Sequence, residues 1–146
     1  MSNDKMMQSL EALLPKCLDD IITINRDKAR IQLSADEQLT PMMQPLSSNS
    51  VRETLDEWRF ITLSSLVGDE FRVRLLGQIS RNGMAWFTSA VVHIDLEQGL
   101  VQTHNSFYRL GTKGEGEPPF EHLACLCACL HKQGVGEVYG IPHFFY

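Results

Sequence analysis

The sequence has no long hydrophobic run, no block of like charge and no excess of positive charge, and each absence removes a class of function. No stretch reaches the roughly 20 predominantly apolar residues that a membrane-spanning helix needs, so no membrane partner is expected. Thirteen basic residues stand against 18 acidic ones, for a formal net charge of -5, and neither sign gathers into a stripe. A nucleic-acid binder usually shows a basic balance, so nucleic acid is not a favoured partner. The N-terminal run Met1-Ser2-Asn3-Asp4-Lys5-Met6-Met7 lacks the basic start, apolar stretch and small-residue cleavage site of an export signal. A cytoplasmic location follows as the expectation.

Cysteine is scarce and badly placed for disulfides: Cys125, Cys127 and Cys129 crowd one segment and Cys17 is remote. With His122 and His131 the cluster invites a zinc site. On a helix, however, only Cys125 and Cys129 share a face, with His122 one turn earlier, and Cys127 points away. No metal and no cofactor is therefore expected, and the cysteines read as small hydrophobes. A thiolate role would need a positive charge near the sulfur, and the neighbours in sequence are apolar. Phosphate-loop chemistry is missing too. Gly111-Thr112-Lys113-Gly114-Glu115-Gly116 precedes a helix, but the Gly-Lys-Ser/Thr ending is absent. It reads as a mobile, charged loop.

What is present is an ordinary globular composition, 43% hydrophobic and 21% charged, over 146 residues, which suits a single domain spanning 1–146. The segment from Pro118 to Gly134 reads as a helix of about 119–133, with Pro119 at its first position and Gly134 just past its end. From Leu123 to Leu130 it carries no charge and no amphipathic stripe, so it needs cover on two sides. Met6, Leu10, Leu13 and Leu14 space an N-terminal helix. Residues 21–33 fit a hairpin or a continued helix, and residues 39–50, with two prolines, fit a loop. Ser50 and Glu53 make a capping box that predicts a short helix near 51–57.

From about 59 to 110 the apolar period becomes two, and the turns suggest registers. Asn82-Gly83 predicts a two-residue hairpin pairing Arg81 with Met84. That register places Ile79 against Trp86, Leu75 against Ala90, Val73 against Val92 and Phe71 against Ile94. The turn Leu96-Glu97-Gln98-Gly99 predicts Asp95 opposite Leu100 and Val101 opposite Ile94. Gly68-Asp69-Glu70 brings Ile61 and Leu63 to the same side, and a bulge is expected near His104-Asn105-Ser106. The fold class is then α+β: a four-stranded antiparallel meander with helices on its single apolar face, the Cys-rich helix central among them.

The other face of that meander collects the candidate ligand-binding residues Arg72, Arg74, His93, His104, Ser106 and Tyr108. Guanidiniums beside imidazoles suit a phosphate or carboxylate, and a histidine there could act as a base. The same residue types also line the wet side of any antiparallel sheet. No catalytic triad, carboxylate pair or nucleotide loop is legible, which favours a non-enzymatic protein. The apolar tail, including His143, Phe144, Phe145 and Tyr146, is either internal cover or an interface. The expectation is a small binding or regulatory protein acting on an unidentified protein partner or on itself. A small-molecule or phosphate-ester site on the Arg/His face is the alternative.

Overall fold

The computed structural model describes Leu18, residues 29–65 and residues 71–133. The N-terminal helix, the 68–70 turn and the tail interface at His143, Phe144, Phe145 and Tyr146 lie outside the described residues. The elements in order are β1 (Ala29–Leu33), α1 (Asp36–Leu39) with a 3-10 turn at Thr40–Met42, β2 (Val51–Ser65), β3 (Phe71–Ile79), β4 (Ala85–Asp95), β5 (Leu100–Thr103), β6 (Phe107–Leu110) and α2 (Phe120–Lys132). The class is α+β with an antiparallel sheet, but of six strands rather than four. No helix among the described residues is long and apolar enough to cross a membrane.

β2 organises the sheet. One of its edges carries β3, from Leu55↔Ile79 to Ser64↔Phe71. Its other edge carries β6 at Val51 to Leu55, then Lys113 at Trp58, then β1 from Ile61 to Ser65. Strands in a meander alternate in direction, so β2 and β6, first and last of five, run the same way. Their ladder is parallel, and it closes β2 to β6 into a barrel with β1 appended. This pairing explains why 51–57 is strand and not helix. Ser50 donates its N–H to Ser48 Oγ at 3.1 Å, and Glu53 pairs with Arg81 across 2.7 Å instead of closing a capping box. A local cap was outcompeted by long-range pairing.

Closure changes what the apolar residues do. Leu55, Phe60, Val73, Leu75, Ile79, Val91, Ile94, Val101 and Tyr108 form one buried cluster drawn from all five barrel strands, which is the interior. Ile31, Ile61, Leu63, Leu76 and Phe87 form a second cluster with Leu123, Leu126, Cys127 and Leu130 of α2. The helix therefore packs on the outside, on β4 and β3, and not on the face that carries Val73, Leu75, Ile94 and Val101. The sheet buries apolar side chains on both faces, the outer one where α2 covers it, where the alternation pattern implied one.

The registers show how that arises. Asp95↔Leu100 and Ile94↔Val101 form as the turn predicts. The β3–β4 hairpin does not: Ile79 donates to Met84 O at 2.8 Å across a four-residue loop, with Gly83 at φ 73 supplying the left-handed position. Gly77 then faces Trp86, and further along Arg74 faces Ala90. Between these pairs Thr88 and Ser89 of β4 oppose the single residue Leu75, a bulge that switches which β4 side chains point inward. A second shift between Val91 and His93 sets Thr103 against Val91 rather than Val92. The segment around His104 is a turn, with Thr103 N–H donating to Ser106 O at 2.8 Å.

Leu75 and Leu76 test the two-faced packing directly, because both are 0% exposed yet belong to different clusters. Leu75→Ala and Leu76→Ala should each lower the unfolding free energy by about 2–5 kcal/mol in urea titrations. A sheet buried on one face would be sensitive at only one of them.

Candidate functional site

A concavity among the described residues lies along the edge of β2 between its pairings with the Lys113 loop and with β1. It holds about 650 Å³ and is walled by Trp58, Arg59 and Phe60 of β2, Leu33 and Ser34 at the end of β1, Leu39 and Thr40, and the loop Lys113–Gly116, with Met43 and Leu96 at the rim. Trp58 and Phe60 meet edge to face with ring centroids 5.5 Å apart, and the Lys113 ammonium lies 5.8 Å from the Trp58 ring. Both contacts suit an aromatic wall. A second hollow of about 640 Å³ shares Met43 and Leu96 and runs on past Gln44, Pro45 and Leu46 beside the end of β4. Met43 and Leu96 line both hollows.

The wall exists because of how Arg59 is used. Its side chain is only 7% exposed. Nε donates to Gly116 O at 2.8 Å, one terminal nitrogen to Glu115 O at 2.8 Å and the other to Glu57 O at 3.1 Å. The planar fork thereby gathers three carbonyls that would otherwise face the cleft unpaired. A Cβ on Gly114 would stand 2.6 Å from the guanidinium, so only glycine lets the loop close on it. Gly111 is constrained in the same way by the Asp56 carboxylate. Ser80 Oγ donates to that carboxylate at 2.6 Å and the Thr112 N–H at 2.9 Å, which holds the Asp56 acid below its ordinary pKa. The glycine-rich segment is paired along β2: Gly111 N–H donates to Leu55 O at 2.8 Å and Gly114 N–H to Trp58 O at 3.0 Å.

The hydroxyls in the cleft are already engaged, Ser34 with Thr62 at 2.7 Å and Thr40 with Asp36 O at 2.8 Å. Among the described residues neither histidine nor cysteine lines it. No nucleophile among the described lining residues is paired with a base. Aromatic and aliphatic walls with a few charged and backbone groups suit an apolar side chain.

The six residues named from sequence are brought to different places. Tyr108 lies in the barrel interior, where the Trp86 indole N–H donates to its hydroxyl at 3.1 Å. Arg74 is on the outer face, 6% exposed, its guanidinium 3.9 Å from the centre of the Phe87 ring and donating to Gln133 Oε1 at 2.9 Å. Its Nε reaches Thr88 O, a carbonyl in the β4 bulge, while Thr88 Oγ1 accepts the Leu75 N–H at 3.0 Å. The bulge is thus satisfied from both sides. Arg72 is exposed; His93 is half-buried with Nδ1 3.1 Å from Gln102 Oε1; His104 is exposed and Ser106 half-buried. None of the six lines the cleft at Trp58. Sequence reasoning did not single out Trp58, Phe60, Met43 or Leu96 as a site. The available signal was the pair of rings at Trp58 and Phe60 beside the glycine-rich loop, whose role depends on a pairing between residues far apart in sequence.

His122, in the first turn of α2, is 2% exposed, with Nε2 3.1 Å from Gln78 Oε1. Burial, with Arg59 adding to it, lowers its pKa. The unfolded chain therefore binds the extra proton first as pH falls through the ordinary histidine range, and stability declines from there downward.

No family model, no curated protein and no solved structure matches this chain.

Arg59→Lys keeps the charge and removes the fork. It should lower stability by about 1–3 kcal/mol and speed amide exchange at Gly114, read by urea titration and by hydrogen exchange. A change under about 0.5 kcal/mol, with Gly114 still protected, would contradict the clamp.

Proposed function

We propose that this protein is a small binding protein, non-enzymatic, that acts through protein contacts by taking an extended partner segment across the two hollows at the end of the barrel. One observation carries the reading. Of the six large hydrophobic side chains exposed among the described residues, Leu33, Met43 and Leu96 gather around the Trp58 and Phe60 wall. An apolar cluster rimmed by polar groups marks a place that another molecule covers. Two adjoining hollows that share Met43 and Leu96 suit an extended chain with successive side chains better than a compact ligand.

The local charges refine the partner. Lys113 and Arg59 are balanced by Asp36 and Glu115 around the cleft, which favours a segment without strong net charge, anchored by aromatic or aliphatic residues. The engaged hydroxyls support binding over turnover.

Met43→Glu combined with Leu96→Glu tests this, because both side chains are exposed and neither is in a core cluster. Peptides selected from a random library by the wild type should carry apolar anchors and lose at least about tenfold in affinity for the double variant, roughly 1.4 kcal/mol, while the thermal melting curve stays in place. Selection that enriches no apolar anchors, or peptides that bind the variant equally well, would refute it.

A further inference from the structure

Another hollow lies on the outer wall of the barrel at its closing seam, and its walls are basic. It holds about 370 Å³ and is lined by Arg52, Glu53 and Thr54 of β2, Ser80 and Arg81 of the loop after β3, and Arg109 of β6. Three of the chain's eight arginines meet there and no lysine does, although the chain as a whole carries a formal net charge of -5. Three guanidiniums against the single carboxylate of Glu53 leave the lining with a formal charge of +2.

A different feature of the strand pairing delivers each arginine. Thr54 pairs with Arg109 across the parallel ladder, which sets Arg109 beside β2. Between Val51↔Phe107 and Glu53↔Tyr108, β2 has one residue more than β6, so Arg52 is the bulged residue. Its guanidinium lies 4.9 Å from the centre of the Trp86 ring, a contact that holds the cation while its N–H donors stay available. The Ser80 N–H donates to Thr54 O at 2.9 Å, which fastens the loop after β3 to β2. From that loop Arg81 grips Glu53 along one edge of its fork: Nε donates to the two carboxylate oxygens at 3.1 and 3.2 Å, and one terminal nitrogen donates to Oε1 at 2.7 Å. The other terminal nitrogen of Arg81 and the whole guanidinium of Arg109 have no hydrogen-bond partner among the described residues.

We propose that this hollow binds a phosphate dianion, as the terminal group of a small phosphate monoester or as the free ion, with Arg52, Arg81 and Arg109 as the donors. Guanidinium forks match phosphate oxygens in pairs, which a point-charge ammonium does not, and the lining is all arginine. A phosphate monoester carries about -1.5 to -2 at neutral pH, close to the charge the lining leaves unbalanced. A carboxylate or a sulfate ester, with one charge, balances only half of it. The volume is near the lower end for ligand pockets, which suits a head group with a small organic remainder. The nearby acids are already engaged: Glu53 is held by Arg81, and Asp56, which does not line the hollow, accepts from Ser80 Oγ at 2.6 Å and from the Thr112 N–H at 2.9 Å.

The hollow shares no residue with the cleft at Trp58, so it stands apart from the protein-binding reading. A dianion held there touches β2, β6 and the loop after β3 together. Its binding therefore ties the strands that close the barrel.

With the full chain at constant ionic strength, methyl phosphate added to an isotope-labelled sample should give saturable NMR shifts of the Arg52, Arg81 and Arg109 Nε–H signals and of the Ser80 amide, and should raise the melting temperature as its concentration rises. Methyl sulfate has the same shape and one charge fewer, and should bind at least about threefold more weakly. Arg109→Gln removes one fork from an exposed side chain, so affinity for methyl phosphate should fall at least about fivefold while the ligand-free melting curve stays in place. Arg72→Gln, at an exposed arginine of β3 outside the hollow, should leave that affinity unchanged. Tighter binding of methyl phosphate than of inorganic phosphate assigns the site to esters and the reverse assigns it to the free ion; either result supports a dianion site. Shifts still linear at about 20 mM methyl phosphate, equal affinity for the two methyl esters, or equal losses in Arg72→Gln and Arg109→Gln would overturn the proposal.

Discussion

The structure depends on how one edge of β2 is shared. A strand has two edges, and on this one β2 accepts β6, then the glycine-rich loop, then β1, in succession along its 15 residues. The positive φ of Glu57 and the register shift between Asp56 and Arg59 fall where the first guest gives way to the next. Closing the barrel through β6 removes an exposed edge. It also creates a confined interior that nine side chains fill, and leaves the outer wall free to hold α2. The cleft is the interval between the second and third guests, so the same edge that closes the fold also opens the site.

How much of this could be read from residues alone follows from which interactions are local. The α2 helix was legible from Pro119 and its uncharged run; it spans Phe120–Lys132, with Pro119 as the N-cap just before it. The turn at Leu96 to Gly99 was legible because Gly99, at φ 67, and the Asp95 carboxylate, which accepts the Gln98 N–H at 3.1 Å, define it within a few residues. The β2–β6 pairing was not, since nothing near Val51 announces a parallel partner around Phe107. The Ser50 and Glu53 signal was sound local chemistry overruled by a distant strand. Likewise Asn82-Gly83 marks a turn, but the position of Gly83 at the end of a longer loop decides the register.

Alternation carried a hidden premise. Period two says which side chains share a face only while the strand has no bulge, and β4 has register shifts on both edges. It also says nothing about whether the second face is wet. Arg74 reads as a surface residue in sequence, yet it is buried because a bulge leaves the Thr88 carbonyl in need of a donor and Phe87 offers a ring to stack on. The candidate cleft was hidden for the same reason: Trp58, Met43 and Leu96 converge only once the barrel is closed.

Closure of the barrel through β2 and β6 is the claim on which the interior, the pinned loop and the cleft all rest, and residue-resolved amide exchange addresses it at Gly111 and Trp58. The Gly111 N–H donates to Leu55 O at 2.8 Å and the Trp58 N–H to Thr112 O at 3.3 Å, both across the closing seam. A closed barrel predicts that these two amides exchange by the same slow, cooperative opening as amides inside the β2–β3 ladder. Exchange of both at the rate of an unprotected chain, with the β2–β3 ladder still protected, would show an open sheet and contradict the account.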